Sequence, residues 1–190
     1  MIAAFLVLLL LPLHLNSSSA APMSDGLSQA VPTTFSGDLG TCDPTYNRAF
    51  NVSVVSVAGT NVFYEFQAFT VNLTGVYTLS MTGTTIPDAH ASIYRDAFNP
   101  AVTLTNIVFV DDDSGPGVNP AFLGVTLDAG VTYILVTSTL NNGFTGSYTW
   151  TLSGAGAIHA WCKQHHADLP HRYPHRDANP NTDTPAIHLI

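Results

Sequence analysis

Residues 62–81 read VFYEFQAFTVNLTGVYTLSM, a pattern typical of two β-strands joined by a turn. In the first strand, apolar residues alternate with Glu65 and Gln67, because successive side chains of a strand point to opposite faces. The residues Asn72-Leu73-Thr74-Gly75 supply the turn signal. The residues of the second strand that we expect to face inward are Tyr77, Leu79 and Met81.

Similar short stretches recur along the chain and are separated by Gly, Asn and Pro. No segment shows the 3.6-residue period of a helix, and only 9% of the residues are charged, against about 25% in a typical domain. The sequence therefore predicts an all-β fold, an antiparallel jelly-roll-like β-sandwich of about eight strands. We expect strands at 52–57, 62–71, 76–81, 91–94, 107–110, 121–127, 131–137 and 146–152.

The two ends of the chain differ from this body. Residues 2–15 are almost wholly apolar but too few to cross a bilayer as a helix, and small residues follow them. They predict a signal peptide cleaved after Ala20, hence a secreted protein without a membrane span in its mature form. The predicted domains are a signal peptide at 1–20, a lead-in at 21–51, the β-sandwich at 52–156 and a disordered His- and Pro-rich tail at 157–190.

The charge balance limits the classes of partner. Lys and Arg together number five, against thirteen Asp and Glu, and the formal net charge is −8. Because no basic stripe is present to neutralise phosphates, the sequence argues against nucleic-acid binding.

Six pieces of the body occur in an order found in a known module. They are YEFQAFTV at 64–71, TGVYTL at 74–79, IY at 93–94, DDDSG at 111–115, LDAGVTY at 127–133 and GSYTW at 146–150. This series, spread over about half the chain, resembles the bacterial pre-peptidase C-terminal (PPC) domain. The resemblance implies a jelly-roll-like sandwich that accompanies secreted enzymes and assists secretion, localisation or substrate binding without catalysis. Here no peptidase precedes the module, so its own role stays open.

Catalytic signatures are missing from the sequence. It contains no Gly-x-Ser-x-Gly elbow, no His-Glu-x-x-His and no Ser-x-x-Lys. His90 would need Asp88 and a serine beside it to form a triad, which only geometry can show. A glycosidase would need two carboxylates facing a cleft, and we expect Glu65 to point to solvent instead. We therefore predict that the chain is not an enzyme.

Cys42 and Cys162 are the only cysteines, and in a secreted chain they predict a disulfide that ties both ends of the sandwich together. The alternative is a pair of free or intermolecular thiols. Asn51 and Asn72 begin Asn-x-Ser/Thr sequons and are possible glycosylation sites in a host with that machinery.

Three adjacent carboxylates, residues 111–113, follow an apolar strand and precede a Gly- and Pro-rich loop. Ca²⁺ takes six to eight oxygen ligands, so such a loop is a candidate calcium site. The alternative is an ordinary acidic turn in which Asp side chains cap backbone N–H groups. The candidate ligands are Asp111, Asp113 and Asp88, with Asn119 and Asp128 as possible additions.

Three functions remain open from the sequence. The first is a secreted, non-catalytic module that binds an extracellular polysaccharide, cell surface or protein; the second is a structural or passenger module without a ligand. The third is a small secreted hydrolase with an unrecognised site. Four loop aromatics would either stack on sugar rings or cap the core: Tyr46, Phe98, Phe144 and Trp161.

Overall fold

The protein is built from β-strands. The computed structural model describes residues 30–117 and 119–161, and within those ranges it contains no helix. The predicted signal peptide and nearly all of the predicted tail lie outside the described residues. The strands are β1 (Thr33–Leu39), β2 (Thr45–Tyr46), β3 (Ala49–Asn51), β4 (Val54–Val55), β5 (Val62–Val71), β6 (Gly75–Thr84), β7 (Ala89–Arg95), β8 (Ile107–Asp111), β9 (Ala121–Leu127), β10 (Tyr133–Thr139), β11 (Gly146–Gly154) and β12 (Ile158–Ala160).

Two antiparallel sheets form a β-sandwich, as predicted. One sheet has the strand order β1-β11-β6-β9, and the other contains β12-β5-β10-β7-β8 with β2 also paired to β5. Without the short strands, the order is that of an eight-stranded jelly roll, in which the chain crosses from one sheet to the other at every connection except that between β7 and β8. The predicted all-β fold class is therefore confirmed.

The main core lies between the two sheets. Tyr77, Leu79 and Met81 of β6 are fully buried there, as their alternation predicts. Trp150 of β11 is among the largest buried side chains, and its indole Nε1 donates a 2.9 Å hydrogen bond to Thr137 Oγ1 of the opposite sheet. This bond satisfies a polar atom that would otherwise be costly to bury.

A second apolar cluster covers the outer face of the six-stranded sheet. Residues 44–59, which we call the cover segment, carry Tyr46 onto this face, and Phe98 from the β7–β8 loop packs beside it. The strands beneath, β5, β7 and β10, are therefore buried on both faces. Strands covered on both sides lose a simple inside–outside alternation.

The strand boundaries differ from the prediction at both ends of the sandwich. Residues 52–57 do not form a single strand, because β3 and β4 make a small hairpin that includes only Val54 and Val55 of that stretch. The strand at the edge of the first sheet is instead β1, which lies in the predicted lead-in and pairs with β11 from Thr33 to Leu39. With β12 paired to β5, the sheets extend beyond 52–156 on both sides.

Candidate functional site

The predicted calcium ligand Asp111 holds the loop that follows β8. Its Oδ2 accepts hydrogen bonds from the backbone N–H of Ser114 at 3.1 Å and of Ala121 at 2.8 Å, and its Oδ1 accepts from Ser114 Oγ at 2.5 Å. These contacts are those of an acidic turn, in which the carboxylate caps backbone donors.

Asp88 lies within electrostatic reach of this loop. Burial raises the pKa of Asp88, Asp113 raises it further, and the Arg48 cation opposes both effects. The pKa of Asp112 is also raised, first by burial and then by Asp113 and Asp111. The Asp88 carboxyl therefore interacts electrostatically with Asp112 and Asp113 of the loop.

No metal-binding arrangement of three or more His, Cys, Asp or Glu side chains is found in the described part of the chain. Of the two additional candidates, Asp128 pairs with Arg95 at 2.9 Å, and Asn119 donates from Nδ2 to Pro116 O at 2.9 Å. Calcium binding stays a prediction.

His90 contacts a serine, but in a closed setting. Its Nδ1 lies 3.1 Å from Ser138 Oγ, and the Tyr46 hydroxyl lies 3.2 Å from the same oxygen. Only 1% of His90 and none of Ser138 is exposed, so a substrate has no path to this pair. Burial, followed by the nearby Arg48 cation, lowers the pKa of His90 to about 3. Within the described residues, His90 has no hydrogen bond to Asp88.

Arg48 fixes the cover segment above this pair. It is 4% exposed and donates from Nε to Leu140 O at 2.8 Å and from Nη1 to Ala49 O at 3.0 Å. Its own backbone N–H donates to Gly59 O at 3.0 Å, which closes the segment around the guanidinium. Asp88 and Asp112 provide the nearby negative charge.

Glu65 does not point to solvent, so that prediction was wrong. It lies on the face of β5 that looks into the sandwich, where Tyr148 donates a 2.7 Å hydrogen bond to its Oε2. On the opposite face of β5, Tyr64 and Phe66 pack under the cover segment. Because that face has its own apolar cover, the polar residues of β5 occupy the interior side.

The outer face of the four-stranded sheet carries a surface that sequence reasoning missed. It is covered by serine and threonine side chains, which we call the hydroxyl face. Hydrogen bonds between neighbouring strands fix these groups: Ser36 Oγ and Thr149 Oγ1 are 2.8 Å apart, and Thr82 Oγ1 and Thr151 Oγ1 are 3.0 Å apart. The face comprises Thr34, Ser36, Thr78, Ser80, Thr82, Thr126, Ser147, Thr149, Thr151 and Ser153.

This face is electrically neutral except at one corner. Among the residues that point outward from these strands, Asp38 of β1 is the one ionisable group, and Val76 and Leu123 are exposed near the β9 margin. The sequence does hold the signal for the face, because Ser147, Thr149 and Thr151 alternate strictly with the buried residues of β11.

The remaining predicted residues lie on the surface. Cys42 is exposed, no disulfide joins two described residues, and its predicted partner Cys162 lies outside them. Asn51 is exposed at the end of β3, where its Oδ1 accepts a hydrogen bond from Ser53 N–H at 2.8 Å. Asn72 is exposed in the turn between β5 and β6.

The loop aromatics divide into two groups. Tyr46 is buried and Phe98 packs with it in the cluster under the cover segment, so these two cap a core. Phe144 is half-buried and Trp161 is 49% exposed.

Comparisons with protein-family models and with curated proteins find no match to this chain. Within residues 30–117 and 119–161, no helix is long and apolar enough to cross a membrane.

Proposed function

We propose that this chain is a secreted, non-catalytic jelly-roll module that binds a neutral polysaccharide surface through its hydroxyl face. The observation that carries the proposal is the hydroxyl face itself, an uncharged array on one sheet of a protein whose net charge is −8. The resemblance to PPC domains supports the same class of role, since those modules accompany secreted enzymes without catalysing the reaction.

The chemistry of the face suits a neutral polymer. Each hydroxyl is both a donor and an acceptor, as are the hydroxyls of a sugar chain. A single such bond contributes only about 0.5–1.5 kcal/mol net in water, so useful affinity needs an extended array on both partners. The cross-strand bonds of Ser36 with Thr149 and of Thr82 with Thr151 order the side chains beforehand, which lowers the entropic cost of binding.

Charge selects among polymers. Lys, Arg and Glu are missing from the outward positions of the four-stranded sheet, and Asp38 stands at one corner. An anionic polymer would gain no cation here and would meet a protein of negative net charge. Neutral insoluble glucans and chitin are therefore the expected ligands.

Sedimentation with insoluble cellulose, chitin and β-glucan tests the proposal. We expect the mature protein to bind at least one of these polymers, and a T82K/T151K variant to bind at least tenfold more weakly. T105K is the matched control, because Thr105 is an exposed threonine in a loop of the other sheet. Equal binding by both variants would assign binding to another surface, and no binding to any polymer would favour the purely structural role.

The same samples examine the hydrolase alternative. Release of soluble sugars from a bound polymer would contradict the non-catalytic assignment. Secretion is tested separately by N-terminal sequencing of the exported protein, for which we expect Ala21 as the first residue.

A further inference from the structure

Three polar atoms in a row lie buried beneath the cover segment. His90, Ser92 and Tyr94 point to the same outer face of β7, because they are alternate residues of one strand. They are 1%, 0% and 0% exposed. His90 Nε2, Ser92 Oγ and Tyr94 Oη have no hydrogen-bond partner among the described residues.

The surroundings of the row are otherwise well paired. Ser138 Oγ lies 3.1 Å from His90 Nδ1 and 3.2 Å from the Tyr46 hydroxyl. The Ser92 hydroxyl lies close enough to the phenols of Tyr46 and Tyr94 to act on both as a distant hydrogen-bond partner, which lowers the pKa of each. The backbone of Ala49 in the cover segment acts on His90 in the same way and raises its pKa. None of these contacts gives His90 Nε2, Ser92 Oγ or Tyr94 Oη a partner in full hydrogen-bond geometry. The unmatched donors and acceptors therefore converge on one region between β7 and the cover segment.

Leaving such groups unpaired is costly. Nearly all buried polar atoms in native proteins have a partner, and buried waters typically bridge otherwise unsatisfied groups with two to four hydrogen bonds. The row offers a hydroxyl from Ser92, a hydroxyl from Tyr94 and a ring nitrogen from His90, all of which water can bond.

We propose that an internal water site lies beneath the cover segment, in which one or two water molecules bridge His90, Ser92 and Tyr94. The water connects this row to Tyr46 and Ser138 in one polar network. It thereby joins β7 to the segment that covers the sheet. This inference does not depend on the hydroxyl face or on its ligand.

A crystal structure at about 1.5 Å resolution tests the site directly. We expect solvent density within about 3.2 Å of at least two of the three atoms. A site without density there, or one in which Ser92 bonds Tyr94 directly with no space for solvent, would overturn the proposal.

Thermal melting of Y94F tests the site in solution. If a water molecule bonds the Tyr94 hydroxyl, removal of that hydroxyl should lower Tm by about 3 °C. If the hydroxyl has no partner, its removal should leave Tm unchanged or raise it, because the cost of burying an unpaired group is relieved. Y46F is the positive control, since the Tyr46 hydroxyl has a protein partner in Ser138. Should Y94F prevent folding, S92A provides the same test with a smaller change in volume.

Discussion

The phenol of Tyr148 donates a 2.7 Å hydrogen bond to Oε2 of Glu65 and so joins β11 of one sheet to β5 of the other. The pKa of Tyr148 is raised, first by burial and then by the Glu65 charge. Hydrogen bonds to an ionised partner contribute more than neutral ones, about 1.5–3 kcal/mol. This contact therefore fixes the relative position of the two sheets near one end of the sandwich.

A double-mutant cycle measures the contact. We expect Y148F to reduce the free energy of unfolding by about 1–3 kcal/mol, because it leaves the carboxylate without this donor. Urea unfolding of Y148F, E65Q and the double variant gives the coupling between the two residues. Strictly additive losses would contradict a direct interaction.

Acid should destabilise the fold through His90. Its pKa is about 3 in the folded protein and about 6.5 in an unfolded chain, so only the unfolded state takes up the proton between those values. The contribution of neutral His90 to stability is complete above pH 6.5 and is lost as the pH falls toward 3. Over that range the unfolding equilibrium constant should rise by about a factor of ten for each pH unit.

Urea unfolding between pH 7 and pH 4 checks this expectation. H90Q should flatten the pH dependence, whereas H159Q, at an exposed position of β12, should leave it unchanged. Asp88 and Asp112 act with the opposite sign, because their raised pKa values let the folded state bind protons first and gain stability as the pH falls. A pH profile of H90Q that matches the unsubstituted protein would contradict the role of His90.

Calcium should raise the melting temperature if the β8–β9 loop binds it. Millimolar Ca²⁺ would stabilise the folded state by mass action, and a D111A/D113A variant should lose that gain. Because Asp111 already caps Ser114 and Ala121, the variant will melt lower even in EDTA. The informative quantity is therefore the difference between Ca²⁺ and EDTA for each protein, and identical curves for the unsubstituted protein would leave only the acidic turn.

An added methyl group at Gly59 should destabilise the cover segment. A Cβ there would overlap the side chain of Arg48, which is held by its bonds to Leu140 and Ala49. We expect G59A to cost about 1–3 kcal/mol, as overpacking usually does. G83A is the matched control, because a Cβ at Gly83 meets nothing within 4 Å. Equal stability of the two variants would show that Arg48 is not held tightly.

The Cys42–Cys162 disulfide remains a prediction, because Cys162 lies outside the described residues. Tyr64 N–H donates to Pro44 O at 3.1 Å, and Ala68 O accepts from Trp161 N–H at 3.0 Å. The N–H of Tyr64 and the carbonyl of Ala68 point to the same edge of β5. Four residues of a strand span about 13 Å, so these two groups lie about that far apart. In the sequence, Cys42 precedes Pro44 by two residues and Cys162 follows Trp161 directly.

Mass spectrometry of the unreduced mature protein decides the matter. We expect a mass lower by two hydrogen atoms than that of the reduced chain, and no thiol open to alkylation. The loop is long, so reduction should cost roughly 4–5 kcal/mol in the chain-entropy model. Two alkylatable cysteines would contradict the bond, and C42S provides the control for stability without it.

The sequence alone determined the fold class. It also determined which side chains face inward in strands that are buried on only one face. In β6 and β11, large apolar residues alternate with Thr and Ser, and a period of two assigns each side chain to a face. The same alternation contained the hydroxyl face, since the outward positions follow from the inward ones.

Tertiary structure decided what lies opposite each face. In β5 the residues of both faces include large apolar side chains, so the sequence pattern does not show which face lies against the other sheet. The cover segment decides this, because it buries Tyr64 on the outer face. The pairing of β1 with β11 joins residues more than a hundred positions apart, and His90 meets Ser138 only because β7 and β10 are neighbours. Such contacts depend on the partner strand and its register, which local periodicity does not encode.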